Sequence, residues 1–476
     1  MSKHHHHHHH NRRNFLSQLG LGCASVGATT LLSGITNMGI LNAAASANRT
    51  WVNTPAEGNY KALVCILLSG GNDSYNTLIP RSTAAYNEYA AVRTNVAIPQ
   101  SELLAINPTN PDGNDYGLHP SLTKVRTMFE EEKLGFIANI GTLVEPTSLT
   151  DFNDDKNLPL GLFSHSDQRN HWQTSAPQDR SALGWAGQLA DILFTNNMNQ
   201  DISMNISLDG INQFQRGNII QPYSINPTGS GSVAINRSNN TSFYETLKRQ
   251  TLDDILEDSY SNILETAYTN SIIGSKNNSL EFSSALANGE SFSTPFEDDR
   301  LSTRLNMVAR TIASRNELGV SNQTFFVQLG GFDTHDDIIN KHAELLTDLD
   351  NALDSFNKTM IELGLSNDVT TFTISDFARK LVSNGNGSDH GWGGHAMVMG
   401  GAVKGKKIYG QYPDLYLGNM LDSGAGRIIP TTSCDEYFAE LALWFGASSG
   451  DLDLVFPNIG NFYDTSSASM PLGFLS

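Results

Sequence analysis

Unbroken apolar runs of strand length punctuate this chain. Lys61–Leu68 reads KALVCILL, the pattern of a strand buried on both faces. Leu134–Ile140 is a second such run. TFFVQL at Thr324–Leu329 and VTTFTI at Val369–Ile374 are two more, rich in β-branched and aromatic residues. Between these last two, Leu346, Leu349, Leu353, Phe356, Met360 and Leu363 recur at alternating three- and four-residue steps. That is one apolar stripe of a helix, and Gly364 ends it. Strand, helix, strand at this spacing is a βαβ unit and predicts a parallel sheet with helices on its faces. Further helices are expected over Ser121–Glu131, over Phe243–Tyr268, from Leu301 to Ile312, and over Ser433–Phe445, where Asp435 and Glu436 sit near the start. Asn196–Asn240 has no long periodicity and reads as loops or a small β excursion. Thr269–Asp299 is polar, rich in Ser and Asn, and reads as a long loop or lid. The expected fold class is α/β, a doubly wound and mostly parallel sheet flanked by helices, with loop and helical insertions.

The N-terminal segment stands apart from this pattern. Asn11-Arg12-Arg13-Asn14-Phe15-Leu16 is a twin-arginine sequence, followed by a weakly apolar run from Gly20 to Leu41 and by small residues Ala43 to Ala47. This reads as a Tat signal peptide over residues 1–47, implying passage through the Tat translocase to the periplasm, the cell envelope or the exterior. Gly, Thr and Asn interrupt the run before a membrane span accumulates, so no transmembrane segment is expected in the mature chain. The residue three before Cys23 is Gly20, a poor match to a lipidation signal. The run His4–His10 reads as a purification tag or low-complexity tract and precedes the signal. Residues 48–476, roughly 430 in all, are long enough for one large domain, with a polar insertion around 196–300. Cys65 and Cys434 are the cysteines left in it, so a disulfide framework does not stabilise it. The formal charge of −19 argues against a nucleic-acid partner and suits cations, although most carboxylates are expected on a solvated surface.

The unusual polar residues follow the strands. Leu68 leads into Ser69-Gly-Gly-Asn-Asp73-Ser74-Tyr-Asn76, Leu329 into Gly330-Gly-Phe-Asp333-Thr-His335, and Ile374 into Ser375-Asp376-Phe377-Ala-Arg379. Ligands of open α/β sheets bind outside the carboxyl ends of the strands, so these clusters can share one rim. A glycine-rich stretch, SDHGWGGH, adds His390 and His395. Asp73, Asp333, Asp376, Asp389, His335, His390 and His395 mix carboxylate with imidazole, which suits a divalent ion. One or two ions are expected, of identity left open among Zn, Mn, Mg and Ca. Each cluster also has a plain structural reading: Asn and Asp favour turns, Asp and Thr cap helices, and single histidines are often satisfied core residues. Arg379 and Asn76 are candidates for binding a substrate anion, with a structural salt bridge the alternative for Arg379. SHSDQRNHWQT, Ser164–Thr174, is dense in side chains that bind, attack or orient.

ILLSGGNDSYNTLIP, LHPSL, SHSDQRNHWQT, GGFDTHDD, FTISDFARKLVSNGNGSDHGWGGH and GAVKGKKIYGQYP appear in order from about Tyr60 onward. Together they resemble the Tat-exported domain of unknown function 1501 family, which is grouped with the alkaline phosphatase and sulfatase superfamily. The resemblance implies an alkaline-phosphatase-like domain with metal at the strand ends: Asp73 after the first strand, Asp333 and His335 before the long helix, Asp376 after a later strand, and His390 or His395 downstream. Three departures from the superfamily pattern stand out. One residue separates Asp333 from His335 where three are usual. Phe377 takes the place of a second-metal histidine. The nucleophile position falls near Ser164–Ser166, so that Ser166 and His165 compete for it, with Ser74 a further candidate beside Asp73.

Two functions fit these residues. One is an exported metal-dependent hydrolase of phosphate or sulfate esters, acting on an anionic small molecule or a glycan ester. The other is a non-catalytic envelope or cell-surface binding protein on a degenerate sulfatase-like fold.

Overall fold

A computed structural model describes residues 60–232, 242–258 and 260–476 of the 476-residue chain. The expected signal peptide and its histidine run lie outside the described residues. In chain order the strands are β1 (Lys61–Ser69), β2 (Leu78–Pro80), β3 (Leu104–Ile106), β4 (Tyr116–Leu118), β5 (Leu134–Gly141), β6 (Asn205–Ser207), β7 (Tyr223–Ser224), β8 (Asn322–Gly330), β9 (Val369–Ser375), β10 (Arg379–Ser383), β11 (Ser388–His390), β12 (Gly394–Met399), β13 (Ile408–Gly410) and β14 (Thr432–Ser433).

The main sheet runs in the order β13-β5-β12-β9-β1-β8-β6-β7, with β14 also on β5. β1 pairs in parallel with both β8 and β9, in register Leu68↔Leu329 and Leu68↔Ser375. Those three adjacent strands end together, so the three polar clusters that follow them start from one edge. β12 is antiparallel to β5 and β9. The alternating side chains of β1 divide between two layers. Ala62, Val64, Ile66 and Leu68 pack with the helices Thr123–Glu130, Arg300–Ala313 and Ile338–Glu362. Leu63, Cys65 and Leu67 face the helices Trp185–Leu193 and Cys434–Phe445. The last of these begins as its sequence predicts, with a capping box between Ser433 and Glu436. Cys65 and Cys434 are buried and free. The molecule is thus α/β, with a mostly parallel sheet covered by helices on both faces.

Asn196–Asn240 holds the short strands β6 and β7. The expectation of a long loop over Thr269–Asp299 is corrected: a helix runs Ile263–Asn288. Its polar length hides the signal, because only the end, at Phe282, Ala285 and Leu286, buries an apolar face. A separate helix occupies Phe243–Glu257. Residues 242–277 cluster as a small unit of their own, in which Lys276 pairs with Asp253 at 2.7 Å. Among the described residues no helix is long and apolar enough to cross a membrane.

Candidate metal centre

Four segments bring side chains to the end of the sheet. Asp333 and His335 follow β8, Asp376 follows β9, and His390 closes β11. The β10–β11 pairing sets His390 opposite Arg379. The fourth segment is the helix His165–Thr174, whose first residue is His165. Gly70 makes the approach possible. Its φ of +117° lies in the left-handed region, and a Cβ there would strike the backbone of Phe332 and Asp333.

His165, Asp333 and His390 offer ligand atoms that all lie within 4.8 Å of one another. Asp333 Oδ1 is the hub. It lies 3.1 Å from His335 Nε2, 3.4 Å from His165 Nε2 and 3.7 Å from His390 Nε2. Each imidazole is fixed from behind through Nδ1. That atom of His165 meets Asp376 Oδ2 at 2.8 Å, that of His335 meets Asp389 Oδ1 at 3.1 Å, and that of His390 meets the Phe163 carbonyl at 2.7 Å. Phe163 holds a left-handed φ of +70°, a strained value for a bulky residue, where its carbonyl meets His390. Carboxylates and carbonyls accept hydrogen bonds, so each Nδ1 donates and each neutral ring turns the lone pair of Nε2 inward.

His335 Nε2 and His390 Nε2 stand 2.9 Å apart. Two lone pairs at that separation repel unless a cation, a proton or a metal ion, lies between them. His165 Nε2 is likewise buried without a hydrogen-bond partner. Desolvation lowers the pKa of His390, the hydrogen bond to the Phe163 carbonyl works against it, and the charge of Arg379, with that of any proton on His165 or His335, lowers it further. Burial works against the charge of Asp333, yet the hydrogen bond and charge of Arg379, with the charge of any proton on His165 or His335, carry its carboxyl below the usual value. Lys380, at 2.6 Å, is the largest influence holding Asp389 well below the carboxylate range. Three inward imidazole nitrogens and one carboxylate oxygen, each backed by its own partner, fit a divalent ion. Phe377 packs against this group, with its ring centroid 4.8 Å from that of His165 and 4.5 Å from that of His390.

The other sequence candidates lie elsewhere. Asp73 does not join the group: it is fully buried, one oxygen accepts from Arg93, and burial raises its pKa against the charges of Arg93 and Arg379. Asp376 is 1% exposed and reaches the cluster only through His165. His395 is turned away. Its Nδ1 accepts from the Asn139 amide, and its ring stacks on Tyr412 with centroids 4.7 Å apart. Desolvation lowers its pKa to about 3. Ser74 is buried, and with His395 it lines a cavity of about 20 Å³, room for a single water. Asn76 is buried and engaged with Val96 and Tyr89. Arg379 is fully buried; it donates to the carbonyls of Gly70, Gly71, Phe332 and Ser388 and to Asp333 at 2.5 Å. It positions Asp333 and does not face a substrate. Ser166 is exposed at the helix start, 3.1 Å from Ser164 Oγ. Among the described residues, no hydroxyl bonds to any of the four ligand side chains. His165 is a sequence candidate for a catalytic role, and its side chain stands here among those that offer ligand atoms. Asp389, one of the carboxylates the sequence offers, stands behind His335 rather than facing the cluster, whereas Phe163 and Lys380 carry no sequence signal beyond their neighbourhood.

A helix-covered α/β sheet with a histidine–aspartate cluster at its strand ends thus defines the class of protein. The chain belongs to the family described as Protein of unknown function (DUF1501), whose profile matches residues 60–420 and so includes all four clustered side chains. No curated protein matches it. Solved structures that resemble it do so faintly. The soluble domain of lipooligosaccharide phosphoethanolamine transferase A from Neisseria meningitidis is 8% identical over 85% of this chain and 95% of that one, with a TM-score of 0.34. The C-terminal periplasmic domain of EcEptC from Escherichia coli, in complex with Zn, is 7% identical over 74% and 77%, with a TM-score of 0.31. Ps i-CgsB in complex with k-i-k-neocarrahexaose is 11% identical over 85% and 77%, again with a TM-score of 0.31. Likeness at this level carries no weight for function.

Proposed function

We propose that this is an exported metal-dependent hydrolase of phosphate or sulfate esters, working with one divalent ion held by His165, His335, His390 and Asp333. The observation that carries the reading is the convergence of three Nε2 lone pairs on Asp333 Oδ1, each ring anchored through Nδ1. A donor set of three imidazoles and one carboxylate favours Zn or Mn over Mg or Ca. The count is one because Phe377 offers no donor beside the cluster, and Asp73 has its charge met by Arg93. A divalent ion supplies Lewis acidity toward an ester oxygen. The chain's own side chains do the rest. Asp376, Asp389 and the Phe163 carbonyl hold the three rings in the neutral, inward tautomer. Arg379 fixes Asp333. The attacking group is water, because Ser74 is sealed in the interior and Ser166 makes no contact with the ligands. Export by the Tat route would place the activity in the periplasm or envelope, on an anionic small molecule or a glycan ester.

The test is turnover of a panel of aryl phosphate and sulfate esters by full-length protein lacking the histidine run. The expected result is metal-dependent hydrolysis that His390→Ala abolishes. A protein loaded with one ion per chain that hydrolyses none of these esters would refute the enzyme and leave the non-catalytic binding protein as the function.

A further inference from the structure

We infer that Arg169 and Arg427 form a tetrahedral-oxyanion subsite beside the metal centre, recognising the phosphate or sulfate group of the substrate. The inference deepens the reading above and rests on it for the identity of the substrate. Five arginines bond to the segments that build the site, and Arg180 among them pairs with Asp167. Arg93 and Arg379 are fully buried and engaged with carboxylates and carbonyls. Arg169 and Arg427 are half-buried, and neither forms an ion pair among the described residues. Arg169 lies one turn after His165 on the same helix, hence on the same face. Its Nη1 touches only Ser69 Oγ, at 3.4 Å, at the end of β1. Arg427 donates Nε to the carbonyl of His390 at 3.0 Å, and its guanidinium lies 5.1 Å from the centre of the Phe163 ring, the residue that anchors His390. Its Nη1 has only a 3.4 Å contact with the Gly424 carbonyl.

The Arg427 guanidinium is tied to the segment that bears His390 and the Arg169 guanidinium to the end of β1, and each keeps donors unused. Asp333 has a half-exposed side chain, so the cluster opens to solvent. In a chain of net charge −19, two guanidinium groups without an ion pair on the segments around the cluster create a local attraction for anions that the surface elsewhere opposes. The planar fork of Arg matches two oxygens of a tetrahedral oxyanion.

The experiment is calorimetric titration of the metal-loaded full-length protein with inorganic phosphate and, separately, sulfate. Saturable binding is expected for at least one of them. Arg169→Ala and Arg427→Ala should each weaken it at least tenfold at unchanged metal content, while Arg180→Ala, whose side chain pairs with Asp167, should not. Where Arg427→Ala loses metal, Arg427→Gln is read instead, since it retains a donor for the His390 carbonyl without the charge. Wild-type affinity in the arginine variants, or no anion binding by the wild type, would overturn the subsite. Anion binding that depends on both arginines, without ester turnover, would leave the subsite standing and refute the hydrolase. Turnover with an unaltered KM in both variants would do the reverse.

Discussion

Replacing Asp376 by Asn perturbs the proposed centre without touching a ligand. Asp376 is buried, and its Oδ2 accepts from His165 Nδ1 at 2.8 Å. Asn has the same shape and no charge. If its carbonyl faces the ring, the hydrogen bond survives in weaker, neutral form. If its amide faces the ring, Nδ1 must accept, the proton moves to Nε2, and His165 loses the lone pair that points at Asp333. Loss of such a supporting partner costs roughly 10- to 100-fold in metal affinity. At 1.4 kcal/mol per tenfold, that is about 1.4 to 2.8 kcal/mol. Competition for Zn against a chelator of known affinity measures the change directly, on protein lacking the histidine run. A thermal melt of the metal-free form shows whether the fold is intact. Zn affinity within threefold of wild type in a folded variant would refute the assignment of His165 as a ligand oriented by Asp376.

Other substitutions test the scaffold. Arg93→Met leaves Asp73 buried without its ion-pair partner, which should cost about 3–5 kcal/mol in chemical denaturation, and the double change Asp73→Asn with Arg93→Met should recover most of it. Gly70→Ala forces a left-handed φ and presses on the backbone of Asp333, so a loss of roughly 1–3 kcal/mol, with weakened metal binding, is expected from melting curves and metal titration. Burial holds His395 at about 3 in the folded chain, whereas the unfolded value is near 6.5. The unfolded state therefore binds the extra proton between these values, and stability falls as the pH drops through that window. His395→Leu should make the acid limb of the stability curve shallower by about 1.4 kcal/mol per pH unit. An unchanged slope between pH 4 and 6 would contradict it.

The strands were readable because β1, β5, β8 and β9 are buried on both faces and so appear as continuous apolar runs. Direction was not: β12 has the same kind of sequence and runs antiparallel, since apolar alternation carries no sense of chain direction. The helix Ile263–Asn288 was missed because Ser and Asn fill the faces that would reveal its period. At the site, strand-end clusters pointed to Asp333, His335 and Asp376 and the glycine-rich stretch to His390; the structure brings Asp333, His335 and His390 together and sets Asp376 behind His165. Their ranks are spatial facts. Asp376 stands one residue from Phe377 in sequence, yet it acts behind an imidazole 211 residues away. Asp73 looked like a ligand because nothing local announces Arg93, which reaches it from the next helix. His390 and His395 lie five residues apart, but one closes β11 and joins the cluster while the other lies in β12 and enters an aromatic core with Tyr75 and Tyr412.

The most direct measurement is metal content of the full-length protein without its histidine run, by elemental analysis, alongside His165→Ala, His335→Ala and His390→Ala. The account predicts one divalent ion per chain in the wild type and marked loss in each variant. A wild type that binds no ion, or three folded variants that keep it, would contradict the metal centre itself.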